Sequence, residues 1–181
     1  MKKIYTLSLI IVCVFATTQL LNAQTGFLGA AVGLGTANDH VEDGLAAQGY
    51  LEVGKNISVR GTLSYYSADA KVSNLLSAGT FTMVGVEASA LLKASTEGPY
   101  IGGGIGYYRP ENKLNGTEDD LKSGPGAHAM GGIDIMLGKH LILDLNVKYV
   151  YFKTDNEAKK EPDKNINLNT LFVTGGIKIR F

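Results

Sequence analysis

The chain has 181 residues, 45% of them hydrophobic and 19% charged, with seventeen basic residues against seventeen acidic ones and no formal net charge. This composition suits a single folded domain and argues against disorder, and the balanced charge lacks the basic footprint of a nucleic-acid binder. Glycine is enriched at 23 residues without a Gly-X-Y period, which excludes a collagen-like chain, and one cysteine makes neither an intramolecular disulfide nor a cysteine-based zinc cluster.

Residues 1–23 stand apart. Lys2 and Lys3 are followed by a thirteen-residue, mainly apolar run from Ile4 to Ala16 and then by polar residues. This is the pattern of a secretory signal peptide, with cleavage expected after Ala23 and Gln24 as the new N-terminus. The run is too short to span a bilayer as a helix, which takes about 20 apolar residues, and Val12 before Cys13 is not the small residue that a lipoprotein site needs. Export would remove the only cysteine and both lysines, leaving 15 basic against 17 acidic side chains.

From residue 24 onward apolar residues alternate with small or polar ones, the period of a strand with two unlike faces. Eight segments carry it: 26–35, 47–54, 57–67, 80–92, 99–108, 125–137, 141–152 and 166–181. Most have the roughly 9 to 11 residues that a tilted membrane-spanning strand requires. In the first, Leu28, Ala30, Val32 and Leu34 share one face, and Phe27, Gly29, Ala31 and Gly33 the other. The connections alternate as well. Segments 36–46, 68–79, 109–124 and 153–165 are long, whereas 54–56, 93–98 and 138–140 are short. Short turns at one end and long loops at the other define an eight-stranded antiparallel up-and-down transmembrane β-barrel. Domain organisation is then a signal peptide at 1–23 and a barrel at 24–181, exported to the outer membrane with both barrel ends on the periplasmic side.

Charge placement sharpens this expectation, because a lipid-facing charge near the bilayer midplane costs about 2 to 4 kcal/mol. Only Glu52, Arg60, Glu87, Asp134, Asp144, Lys148, Lys178 and Arg180 fall within the segments, and each lies opposite the aliphatic face. They are expected to form a neutral network inside the barrel, with Tyr50, Tyr66, Tyr100, Tyr108, His128 and Asn146 on the same face. Inward glycines at 29, 33, 85, 102, 104, 106, 132 and 176 would make room for them. Tyr65, Tyr107, Tyr149 and Tyr151 fall near the outer ends of the lipid face, where an interfacial aromatic girdle belongs.

The last segment alternates Val173, Gly175, Ile177 and Ile179 with Thr174, Gly176, Lys178 and Arg180 and stops at Phe181. That ending resembles the terminal-strand signal read by the outer-membrane barrel assembly machinery. Over residues 24–181 the chain resembles the small outer-membrane β-barrel family that includes the OmpA transmembrane domain, OmpX and the opacity-type adhesins. The resemblance implies a barrel without the peptidoglycan-binding domain that follows it in OmpA, in contact with outer-membrane lipid and lipopolysaccharide, and loops of the kind that carry adhesion in relatives. It does not imply a pore, since an eight-stranded barrel is just wide enough to be filled by its own side chains.

Other chemistries are weakly represented. Enzymatic barrels pair a histidine with a serine, but Met130 stands two residues beyond His128, and His40 with Ser67 and Asp69 matches no motif. His140 falls in a short turn and reads as a solvated side chain. No catalytic residues, no cofactor and no resident metal are expected. The acidic runs Asp39, Glu42, Asp43 and Glu118, Asp119, Asp120 lack calcium-loop spacing and read as solvated surface, with shared divalent contact to lipopolysaccharide phosphates as a minor alternative. The favoured function is surface structure or partner binding through the four long loops. A small channel or carrier for hydrophobic or small polar solutes is the runner-up, and a lipid-modifying enzyme comes third.

Overall fold

The computed structural model describes residues 25–37, 41–70, 79–114, 117–119, 121–155 and 165–181. The expected signal peptide lies outside them. Eight long strands carry the architecture: β1 (Gly26–Ala37), β2 (Gly44–Gly54), β3 (Ile57–Ala70), β4 (Gly79–Lys93), β5 (Gly98–Leu114), β6 (Gly124–Met136), β7 (Leu141–Tyr151) and β8 (Thr170–Arg180). Each pairs antiparallel with its neighbours in sequence. β1 also pairs with β8, from Phe27 opposite Arg180 to Ala37 opposite Thr170, so the sheet closes on itself. Backbone bonds between Gly26 and Phe181 complete the seam.

The alternation produces an inside-out distribution. Leu63 and Ile101 are 63% and 66% exposed, while Arg60 and Lys178 are fully buried. At the periplasmic end, turns 54–56 and 94–97 are set by Gly54 and Gly98, whose φ values of 126° and 122° are reached readily only by glycine.

At the other end the strands run further than hydrophobic periodicity suggests. β3 continues to Ala70 and β5 to Leu114, and a short strand at Thr117–Asp119 folds back on β5. Alternation of outward Arg109, Glu111 and Lys113 with inward Tyr108, Pro110 and Asn112 persists there, but it is no longer an alternation in polarity. The last strand starts later than expected. Ile166 belongs to a separate ribbon, Asn165–Asn167 against Lys153–Asp155, and the chain is pinned by Leu168 N donating to Phe152 O at 2.9 Å before β8 begins.

Glycines let the wall curve and close around large lumen rings. A methyl at Gly104 would collide with the Ala88 carbonyl oxygen, whereas one at outward Gly61 would meet nothing within 4 Å. Gly104→Ala should therefore lower the folded fraction sharply on a heat-modifiability gel. Gly61→Ala should fold normally and gain about 0.5 to 1 kcal/mol in urea unfolding, by removing glycine's excess chain entropy.

Candidate functional site: the lumen

Strand parity brings side chains from all eight strands into one narrow interior, in layers. Nearest the periplasm is a cluster of three acids and three bases. The Arg60 guanidinium donates through Nε and Nη2 to Glu52 Oε2 at 3.1 and 2.7 Å. Its Nη1 lies 3.4 Å from Asp144 Oδ2, and the rings of Tyr50 and Tyr100 flank it at 4.3 and 5.1 Å. Both phenols donate to Asp144, at 2.5 and 2.6 Å. Asp134 sits directly opposite Asp144 in the β6–β7 register. The two like charges are held by different partners, since Lys93 and Lys178 reach Asp134 at 3.0 and 2.6 Å. Lys93 also pairs with Glu52. The Phe27 ring lies beneath both ammonium groups, 5.1 and 5.5 Å away.

Above this cluster comes an uncharged belt in which Gln48 donates to Thr174 at 3.0 Å and to Asn146 at 3.4 Å. Then Lys148 meets both oxygens of Glu87, at 3.0 and 2.8 Å, and Ser64 donates to the same carboxylate at 2.7 Å. Every buried charge thus has a counter-charge, which is the condition for burying it at all.

Two placements differ from the sequence expectation. Arg180 is not in the network. Its side chain is 29% exposed at the periplasmic rim, near Glu97 at 3.7 Å, with Nη2 donating to Lys139 O at 2.6 Å. The inward parity of Arg180 is right, but β8 has reached the barrel edge there. Lys93 takes its place. It looked like a turn residue, yet β4 extends through it, opposite Tyr100. Glu52, Arg60, Glu87, Asp134, Asp144, Lys148 and Lys178 are all buried with Lys93, giving four acids against four bases.

The external end of the lumen is apolar, which was not foreseen. Tyr66, Phe81, Phe172 and Phe152 pack there with Met83 and Val150, joined by Val41 from the first loop and by Ile166 and Leu168 from the segment before β8. Tyr66 donates to Glu42 O at 2.6 Å and ties the first loop across the mouth. Below these, the Tyr108 ring lies against the backbones of Gly85, Gly106 and Gly126, where added methyls would fall within 2.9 Å of it. Three strands supply those glycines, so one ring covers the inner wall across β4, β5 and β6.

A serine–histidine contact also escaped detection in the sequence, because its members lie on different strands. Ser89 Oγ is 2.8 Å from His128 Nε2, and His128 Nδ1 faces Tyr108 OH at 3.5 Å. Both are buried beneath the apolar cluster, and among the described residues the imidazole nitrogens meet these two hydroxyls rather than a carboxylate. His140 is exposed and contacts the Arg180 carbonyl at 3.2 Å. His40, Asp39 and Asp120 lie outside the described residues, and Asp69 is exposed on the outer face of β3. No group of acidic or histidine side chains placed to hold a metal occurs among the described residues. The Phe181 ring packs over Gly26 at the β1–β8 seam.

An eight-stranded closed sheet with an apolar exterior and a paired-charge interior defines an integral outer-membrane β-barrel. The chain belongs to the outer membrane protein beta-barrel domain family, whose model matches residues 7–181. Solved structures of the same fold include Neisserial surface protein A, at TM-score 0.66 and 16% identity over 87% of this chain and 96% of that one. OprG of Pseudomonas aeruginosa matches at 0.63 and 13%, over 88% and 96%, and AlkL, solved in DMPC bilayers, at 0.57 and 18%, over 87% and 88%. At these identities the likeness is one of fold. No curated protein matches the chain.

The ion pairs predict an asymmetric mutational response. Lys148→Met alone should destabilise the barrel by about 3 to 5 kcal/mol, since it strands Glu87, and adding Glu87→Gln should recover most of that loss. Arg180→Ala should change stability by less than about 1 kcal/mol. Urea titration of the protein refolded in lipid vesicles would measure all three.

Proposed function

We propose that this barrel works at its external surface, as surface structure or as a binder of extracellular partners through its loops, and that its lumen is a structural core rather than a conduit. The observation that carries this reading is the order of layers inside: paired charges below, a dense apolar cluster above, and a loop residue, Val41, packed into the mouth. Ions gain little from a lumen whose charges already neutralise one another and whose external end is filled mainly by apolar side chains. The apolar end gives some support to a second reading, a carrier of hydrophobic solutes. A lipid-modifying activity has less support, because Ser89 and His128 are enclosed. The proposal includes removal of residues 1–23 on export and insertion by the barrel assembly machinery through the terminal strand.

Refolded protein in a planar bilayer should give no reproducible single-channel steps, and regular steps would overturn the structural-core reading. Lipid A from cells with and without the protein should show the same acylation pattern by mass spectrometry. Intact mass of the protein purified from outer membranes should correspond to a chain beginning at Gln24.

A further inference from the structure

The lipid-facing surface is uneven around the barrel. Outward positions on the upper half of β6 are Pro125, Ala127, Ala129 and Gly131, all small and outward-facing. The strands on either side carry large outward residues, Ile105 and Tyr107 on β5 and Val147, Tyr149 and Tyr151 on β7. Register places Pro125 beside Tyr107 and Ala127 beside Tyr151. A shallow track therefore descends β6 between two tyrosines. It spans about 20 Å at the usual rise per residue and opens into a hollow of about 360 Å³ lined by Gly131, Ile133, Leu145, Val147, Val173 and Gly175.

Charge at the head of this track is equally uneven. Two residues above Tyr107 on the same face stands Arg109, and two above Tyr151 stands Lys153. The corresponding positions named elsewhere around the barrel carry no cation: Thr36 on β1, Asp43 above Leu45 at the start of β2, Ser67 on β3 and Thr82 on β4. Arg109 is 71% exposed, with one edge held by Glu111 at 2.9 Å. Lys153 is exposed, with its ammonium 5.4 Å from the centre of the Tyr151 ring. Arg109 on β5 and Lys153 just past the end of β7 stand on either side of β6, two strand spacings or about 10 Å apart across it, with Arg109 two residues further out in the register, a gap that two long basic side chains can close around one phosphate.

We propose that this face is a binding site for a single phosphorylated lipid of the outer leaflet, with its phosphate between Arg109 and Lys153 and one acyl chain along the β6 track into the hollow below. Cations just outside an aromatic belt meet anionic headgroups at the depth where those groups sit, and the small residues supply a chain-width groove directly beneath. The site is independent of whether the lumen conducts, because it uses only the outer wall.

The test uses the full protein refolded in phosphatidylcholine vesicles doped with lipid A or with dephosphorylated lipid A, followed by gentle detergent extraction and native mass spectrometry. Wild type should retain one lipid A and little of the dephosphorylated form. Arg109→Ala with Lys153→Ala should weaken retention by about thirtyfold, from the loss of two surface cations. Ala129→Phe should block the track and weaken retention of lipid A with both cations in place. Glu42→Gln with Asp43→Asn, in the first loop, should change nothing. Heat-modifiability confirms that each variant is folded. Equal retention of the dephosphorylated lipid, an unaffected cation variant, displacement of lipid by millimolar inorganic phosphate alone, or a dimer in place of the lipid adduct would each overturn the assignment.

Discussion

Everything in this molecule follows from the fact that hydrocarbon offers no hydrogen-bond partner to a peptide group. A strand can enter the bilayer only when both of its edges are paired, so the sheet has to close, and β1 meeting β8 is the step that makes the other seven pairings admissible. Closure with eight strands fixes a bore that side chains fill. The lipid then claims every aliphatic residue for the outside, and polar residues are left to build the interior. Soluble folds solve the opposite problem, and for that reason Leu63 lies in the open here while Arg60 is sealed.

The narrow bore turns glycine and tyrosine into complementary parts. Tyr50 lies against Gly29, Tyr100 against Gly132, and Tyr108 across Gly85, Gly106 and Gly126. Each ring uses the space where a Cβ would have stood. Its hydroxyl is then free to serve the charges, and two of these phenols, those of Tyr50 and Tyr100, converge on Asp144. The glycine excess in the composition is thus largely a matter of the inner wall. Outward glycines such as Gly49 and Gly61, where an added methyl would touch nothing, belong to the lipid side.

Strand number, pairing order and sidedness were legible in the sequence because they depend on a period of two and on turn chemistry, which are local. Depth along the axis was not. Whether an inward residue lies in the lumen or at its rim depends on where the neighbouring strands stop, and so Arg180 and Lys93 exchange roles despite both having inward parity. The apolar external end was hidden for a similar reason. Val41 sits in a segment that reads as loop, and Phe152, Ile166 and Leu168 stand at the ends of segments that read as membrane strands, so only the continuation of the strands above the membrane gives them a common core. Ser89 and His128 meet across β4 and β6 through a register that no local pattern encodes.

An apolar lumen would have been simpler to pack, and replacing buried ion pairs with apolar groups is often neutral or even stabilising. What it would remove is the difference between the two faces of each strand. Side chains repeat every two residues, so a slip of one residue exchanges lumen and lipid faces completely. With an apolar interior that exchange would cost little. With Arg60 on β3, Lys148 on β7 and Lys178 on β8, a slipped strand carries a charge into hydrocarbon at about 2 to 4 kcal/mol near the midplane, and it leaves Glu87 buried without its basic partner, or Glu52 or Asp134 with one partner fewer. The penalty is paid twice, once outside and once inside. Six of the eight strands carry at least one such buried charge, and the two that do not, β1 and β5, are paired on both sides with strands that do. The network therefore stabilises the correct register chiefly by making every neighbouring register worse.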